Sequence, residues 1–158
     1  MNAVSLLCQS FDDALAHEWE SLRYAIDGLT EAEAARQHPA YANEPHDQGI
    51  GKPGPILCFL IPLLHYHRHY TAILRARPVS TEPQTATLGE LSLAKVLPAL
   101  EAANAELRAE FMKLSDADLD QPCSPHRGTA EFVLGIVRHI AWHGGQIATL
   151  RRLLRAAD

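Results

Sequence analysis

The chain has 158 residues, of which 47% are hydrophobic and 21% charged, and its formal net charge is −5. This length and composition predict one soluble globular domain over residues 1–158, large enough to bury its own core. The negative charge argues against nucleic acid as a partner, because phosphate binding needs concentrated Lys and Arg.

The first long helix is predicted from about Ser5 to about Gly28. Its apolar residues recur at intervals of three and four, at Phe11, Leu15, Trp19, Leu22 and Ile26. The run Thr30–Glu33 has the capping-box pattern and predicts a short extra helix. Residues 39–55 hold four Pro and three Gly, so we expect irregular structure there.

The second long helix is predicted from about Pro55, a suitable first-turn proline, to about Arg77. Pro62 lies one or two turns inside this pattern, so it should kink the helix or shift its start. Residues 78–87 are a polar connection that ends the helical pattern.

The third and fourth long helices complete the pattern. Thr87–Glu90 is a second capping-box pattern, and apolar residues then continue to about Leu114. Pro98 lies within this third helix, which therefore kinks there or begins around it. Residues 122–128 are predicted as a loop, and the fourth helix runs from about Thr129 to Arg155.

No strand-like alternation and no internal repeat is visible, so the predicted class is all-α. Four long helices with short extra helices in the connections indicate a four-helix bundle. The connections between helices 1 and 2 and between 3 and 4 are long, which allows an up-up-down-down arrangement.

The apolar residues occupy more than one face of these helices, which indicates more apolar surface than four helices bury among themselves. We therefore predict a homodimer with a self-complementary patch. Candidates for the patch are the third helix and a flank of the second, formed by Ile56, Leu57 and Leu60. The alternative is that scattered surface Leu and Ala carry no such meaning.

Compartment is predicted from the cysteines and from the apolar runs. Cys8, Cys58 and Cys123 are three, far apart, and form no C-x-x-C pair, which favours a reducing compartment. The N-terminal residues lack the basic region of a signal peptide, and the longest apolar run is too short to span a bilayer. We expect a cytoplasmic protein without membrane contact.

The most informative feature is the pair His139 and His143 in the fourth helix. The i, i+4 spacing places both imidazoles on the apolar face of that helix. A buried ring needs a partner for each nitrogen, because an unpaired buried polar group costs roughly 1–3 kcal/mol. A shared divalent metal is one solution, and hydrogen bonds within the core are the other.

The second helix carries His65, His67 and His69. His65 and His69 share one face, and His67 points the opposite way, together with Leu60, Leu63 and Leu74. Either face could be buried, and we take His65 as the first candidate because it lies nearest the apolar half. His65, His139 and His143 would make a three-histidine site with open positions, as catalytic zinc uses. Imidazole suits nickel, iron or copper as well.

The segment His139-x-x-x-His143-x-x-Gln146-Ile147, followed by Leu150-Arg151-Arg152, resembles the last helix of the DinB-like (DinB/YfiT) superfamily. The order of the predicted elements is similar too. The resemblance implies an up-up-down-down bundle, often dimeric. It also implies a divalent metal, zinc or nickel, held by one histidine of the second helix and two of the fourth.

Relatives implied by this resemblance include thiol-dependent transferases and isomerases that use low-molecular-weight thiols, and some hydrolases. The leading hypothesis is therefore a metal-dependent enzyme acting on a small-molecule substrate. In many relatives the ligand of the second helix comes earlier, where Phe59 and Pro62 stand here. The alternative is a non-catalytic bundle with a degenerate metal site, acting as a binding or interaction module.

Overall fold

The computed structural model describes residues 2–39, 55–81, 92–125 and 127–157. This part of the chain is mostly helical, which confirms the predicted class. Its helices and strands, in chain order, are α1 (Ala3–Ala16), α2 (Leu22–Ile26), α3 (Glu31–Ala35), α4 (Leu57–Ala76), α5 (Leu93–Phe111), α6 (Asp116–Leu119), β1 (Pro122–Ser124), β2 (Arg127–Gly128) and α7 (Thr129–Ala156).

The first predicted helix is broken, so the expectation of one continuous helix to Gly28 is wrong. Ser21 separates α1 from α2. Its hydroxyl donates to the carbonyl of His17 at 2.6 Å and accepts from the backbone N–H of Tyr24 at 3.2 Å. A serine at this position satisfies the orphan N–H groups of a new helix, which favours a fresh start over continuation.

The short helix α3 begins where the capping pattern predicted it. The Thr30 hydroxyl accepts from the backbone N–H of Glu33 at 3.2 Å. The Glu33 carboxylate instead accepts from Arg151 of α7, at 3.0 and 3.2 Å. Arg151 is buried and also donates to the carbonyls of Ala25 and Asp27. This arginine therefore ties α2 and α3 to the last helix.

Helices α4 and α5 continue through their internal prolines, Pro62 and Pro98. The start of α5 is capped from a distant part of the chain, because the Glu31 carboxylate accepts from the backbone N–H groups of Leu93 and Ala94 at 2.9 and 3.3 Å. The second capping-box pattern, and residues 40–54 of the Pro- and Gly-rich stretch, lie outside the described residues.

The connection before α7 is more ordered than predicted. Ser115 and Asp118 form a capping box that opens α6. The expected loop at 122–128 contains the antiparallel pair β1 and β2, which corrects the expectation of no strand. The carbonyl of Gln121 accepts from both the backbone N–H and the hydroxyl of Thr129, each at 2.9 Å. These bonds close the turn and set the start of α7.

Packing between the long helices is uneven. Helix α4 lies chiefly against α5, while α1 and α2 lie chiefly against α7. Phe11 of α1 meets Phe111 of α5 edge-on at 4.8 Å. In the described ranges, no helix combines the length and the apolar character needed to cross a membrane.

One candidate for the dimer surface is corrected by the burial pattern. Ile56 and Leu60 are fully buried inside the chain's own core, and Leu57 is half-buried. The apolar residues at the start of α4 pack into the core of the same chain, so this flank is not available as a dimer surface. The dimer itself stays a prediction.

Candidate metal centre

The histidine pair of α7 is brought together by its helical spacing. The Nε2 atoms of His139 and His143 are 2.9 Å apart, and the ring centroids are 4.5 Å apart. His143 is buried, with 4% of its surface exposed, whereas His139 is half-buried. This separation is that of a hydrogen bond, in which one ring donates and the other accepts according to their tautomers.

A third imidazole, that of His67 in α4, is completely buried. Its Nδ1 lies 2.5 Å from Oδ1 of Asn104 in α5. An amide oxygen only accepts, so Nδ1 carries the proton and donates. The neutral ring then has a lone pair on Nε2, and this atom has no hydrogen-bond partner in the described part of the chain.

A neutral polar group also lies beside Nδ1 of His139, since the Tyr70 hydroxyl is 3.4 Å from it. Nδ1 of His143 differs, because this atom and Oε1 of Gln146 are both buried and have no hydrogen-bond partner among the described residues. The rings of His67 and His139 are therefore oriented from the Nδ1 side, as ligating histidines commonly are.

Burial keeps these imidazoles neutral. It lowers the pKa of His67 to about 4, an effect that Asn104 partly offsets and that the charges of His139 and His143 reinforce. Burial and the charge of His139 lower the pKa of His143 to about 4, and burial lowers the pKa of His139. At neutral pH each ring thus has the unprotonated nitrogen that metal binding requires.

The sequence-based choice on the second helix was His65. The structure leaves His65 half-buried, with its ring against Tyr66 at a centroid distance of 5.9 Å. His67, two positions later, lies on the opposite face with Leu60, Leu63 and Leu74, all fully buried. The sequence feature that could have indicated the burial of His67 is the set of leucines on the same helix face. Local sequence alone did not say which face was inside.

Phe59 occupies a position where the resemblance led us to expect a histidine. Its ring meets that of His143 edge-on at 6.1 Å. Among the residues that the structure describes, no group of three or more His, Cys, Asp or Glu side chains is arranged to hold a metal ion. His139 and His143 contact one another on α7. His67 is buried near this pair but does not complete a three-ligand geometry with it.

The surroundings of the pair are aromatic on one side and closely packed on another. Tyr66 meets His139 at 5.0 Å and Trp142 lies 5.1 Å from His143, measured between ring centroids. A Cβ atom at Gly144 would lie 3.5 Å from the backbone nitrogen of Leu22. The glycine thus lets the start of α2 approach the helix face next to His143.

Comparison with known proteins gives one match. No curated protein and no solved structure matches the chain. The family model for the DinB superfamily matches residues 14–146, a range that includes His67 and the histidine pair of α7. A match over most of the chain shows the family, and this protein belongs to the DinB superfamily.

Proposed function

We propose that the chain holds one divalent transition metal through Nε2 of His67, His139 and His143. The observations that carry the proposal are the 2.9 Å between the Nε2 atoms of His139 and His143 and the buried, unpartnered Nε2 of His67, a ring on which both of the others act. Three protein ligands leave coordination positions open, as in catalytic sites. Zinc and nickel are the first candidates, because imidazole suits both.

The residues fit a cation on chemical grounds. Nε2 of His67 is a buried acceptor without a partner in the described ranges, and such an atom costs roughly 1–3 kcal/mol. A cation would satisfy this atom, and it would replace the hydrogen bond between the Nε2 atoms of His139 and His143 with a bond to each ring. Asn104 and Tyr70 would hold the rings of His67 and His139 in orientation.

We further propose that the protein is a metal-dependent enzyme acting on a small molecule. A bound cation supplies Lewis acidity and lowers the pKa of a water or thiol that it binds. Membership of the superfamily points to a low-molecular-weight thiol as co-substrate in a transfer or hydrolysis. The up-up-down-down bundle belongs to the same proposal, supported by the packing of α4 on α5 and of α1 on α7.

The test is metal binding by single histidine variants. Zinc and nickel affinities are measured by calorimetry for the wild type, His67→Ala, His139→Ala and His143→Ala, with circular dichroism as the check of folding. We expect each variant to lose at least about tenfold in affinity. His65→Ala is the matched control on the same helix, and its affinity should equal that of the wild type.

Two outcomes contradict the assignment. Loss of affinity in His65→Ala but not in His67→Ala would restore the sequence-based site of His65, His139 and His143. No metal bound by the wild type after preparation with zinc or nickel would remove the metal proposal altogether.

A second candidate function is a non-catalytic binding module. Phe59 beside His143 favours it, because an apolar ring stands where a relative's ligand is expected. In that case the cluster holds metal weakly or not at all, and a chelator leaves the melting temperature unchanged. A large drop in melting temperature on chelation excludes this candidate.

A further inference from the structure

A cleft of about 440 Å³ lies between the α1–α2 segment and the N-terminal half of α5. This volume falls within the range of small-molecule sites. Its lining is mainly apolar, with buried Leu22 and Leu100 at its base. Arg23 and Glu101 are exposed charged residues on its wall. Their opposite charges select neither an anion nor a cation.

Two of the residues that line this cleft also contact the histidine-bearing helices. Asn104 lines the cleft, and its Oδ1 accepts a hydrogen bond from the Nδ1–H group of His67. Leu22 also lines it, and its backbone lies against Gly144, the residue after His143. Two independent contacts, from α5 and from α2, therefore join the cleft to the same cluster.

The Asn104 side chain presents hydrogen-bond donors to the cleft. Oδ1 of Asn104 is occupied by His67. The amide group retains its two N–H donors, and the side chain is only half-buried. Within the described residues, the hydrogen bonds of Asn104 are limited to this one. A molecule that fills the cleft therefore meets apolar side chains and the N–H donors of Asn104.

We propose that this cleft binds a neutral small molecule with an apolar body and an acceptor oxygen, such as a ketone or ester, whose oxygen accepts from the Asn104 amide. That the molecule is the substrate of the histidine site rests on the proposed function. The binding itself does not. A neutral body follows from the mainly apolar lining, and an acceptor oxygen follows from the N–H groups of Asn104.

The probe is 4-phenylbutan-2-one, titrated by ligand-observed NMR and calorimetry into metal-loaded and chelator-treated protein. Ala16→Phe places a ring in the cleft without touching the histidines. Ala105→Phe is the matched control, an exposed alanine of α5 outside the cleft. Asn104→Asp keeps an oxygen that accepts from His67 but replaces the amide N–H groups with a second acceptor.

We expect binding with a Kd on the order of 1 mM or below. Ala16→Phe and Asn104→Asp should each weaken it by at least about tenfold, with Ala105→Phe unchanged. Metal affinity should persist in Ala16→Phe, which leaves the partner of His67 unchanged. No binding of the ketone, or binding unaffected by Ala16→Phe or by Asn104→Asp, overturns the proposal. If the ketone binds as expected but no metal does, the cleft stands and the proposed function fails.

Discussion

The metal-free protein should lose stability as the pH falls from about 6.5 to about 4, and His67 should account for a large part of the loss. Burial lowers the pKa of His67 from 6.5 to about 4 in the folded chain. Between these two pH values, His67 is protonated in the unfolded chain but remains neutral in the folded chain. The free energy of unfolding therefore falls with pH and levels off below about 4.

The magnitude follows from the two pKa values. At about 1.4 kcal/mol per pKa unit, the difference between 6.5 and about 4 corresponds to roughly 3 kcal/mol. This is a large fraction of the 5–15 kcal/mol that stabilises an ordinary domain. The pKa of His143 is also lowered to about 4, and that of His139 is lowered by burial, so His67 should contribute only part of the histidine effect.

The assay is urea unfolding at pH 7.0 and 4.5 in the presence of a chelator. His67→Asn keeps a side-chain N–H for Oδ1 of Asn104 but does not titrate. We expect it to lose roughly 2–3 kcal/mol less than the wild type between the two pH values. His65→Asn, on the opposite face of α4, is the control and should follow the wild type. Equal losses for His67→Asn and the wild type would refute the reasoning.

Other predictions concern the frame around the site and its assembly. Arg151→Met should lower the free energy of unfolding by roughly 2–4 kcal/mol, because it strands a buried network, whereas Arg152→Met at an exposed position should change it by less than about 0.5. Unfolding by urea measures both. Gly145→Ala should stabilise by roughly 0.5–1 kcal/mol, because its Cβ meets nothing within 4 Å, whereas Gly144→Leu should destabilise by crowding Leu22. Light scattering should give a homodimer, and a single species at 17.4 kDa would contradict that.

The helices could be predicted from the sequence because apolar spacing and caps are local signals. The starts of α3, α4 and α7 fell within a few residues of their observed positions. The break between α1 and α2 could not be predicted, since the apolar stripe continues across it. What stabilises the break includes the approach of Leu22 to Gly144, a contact between residues far apart in the chain.

The capping pattern at Thr30 shows how a correct local signal can mislead about a side chain. The sequence places Glu33 where it would reach back to the start of α3. In the fold its carboxylate pairs with Arg151, 118 residues away. Two positively charged guanidinium groups, the buried one of Arg151 and that of Arg155, attract the carboxylate more strongly than an exposed backbone N–H does. Side-chain hydrogen bonding to Arg151 accordingly lowers the pKa of Glu33.

The candidate site likewise has one part that could be predicted from local sequence and one part that could not. The proximity of His139 and His143 is a consequence of helical spacing, so it was accessible from sequence. The choice between His65 and His67 was not, because α4 is apolar on both faces near its start. In the proposed site His67 is preferred because it is buried and contacts Asn104, which lies on another helix, 37 residues away. No local pattern marks an asparagine as the partner of a particular histidine.

The neutral groups beside the rings bear on how such a site would work. A carboxylate at Nδ1 would stabilise the charged imidazole and raise its pKa. The Asn104 amide only partly offsets burial, and the pKa values of His67 and His143 are lowered to about 4. The lone pairs thus stay available to a metal well below neutral pH. In the metal-free protein the buried Nε2 of His67 has no hydrogen-bond partner among the described residues, so the proposed ion would stabilise the fold as well as supply chemistry.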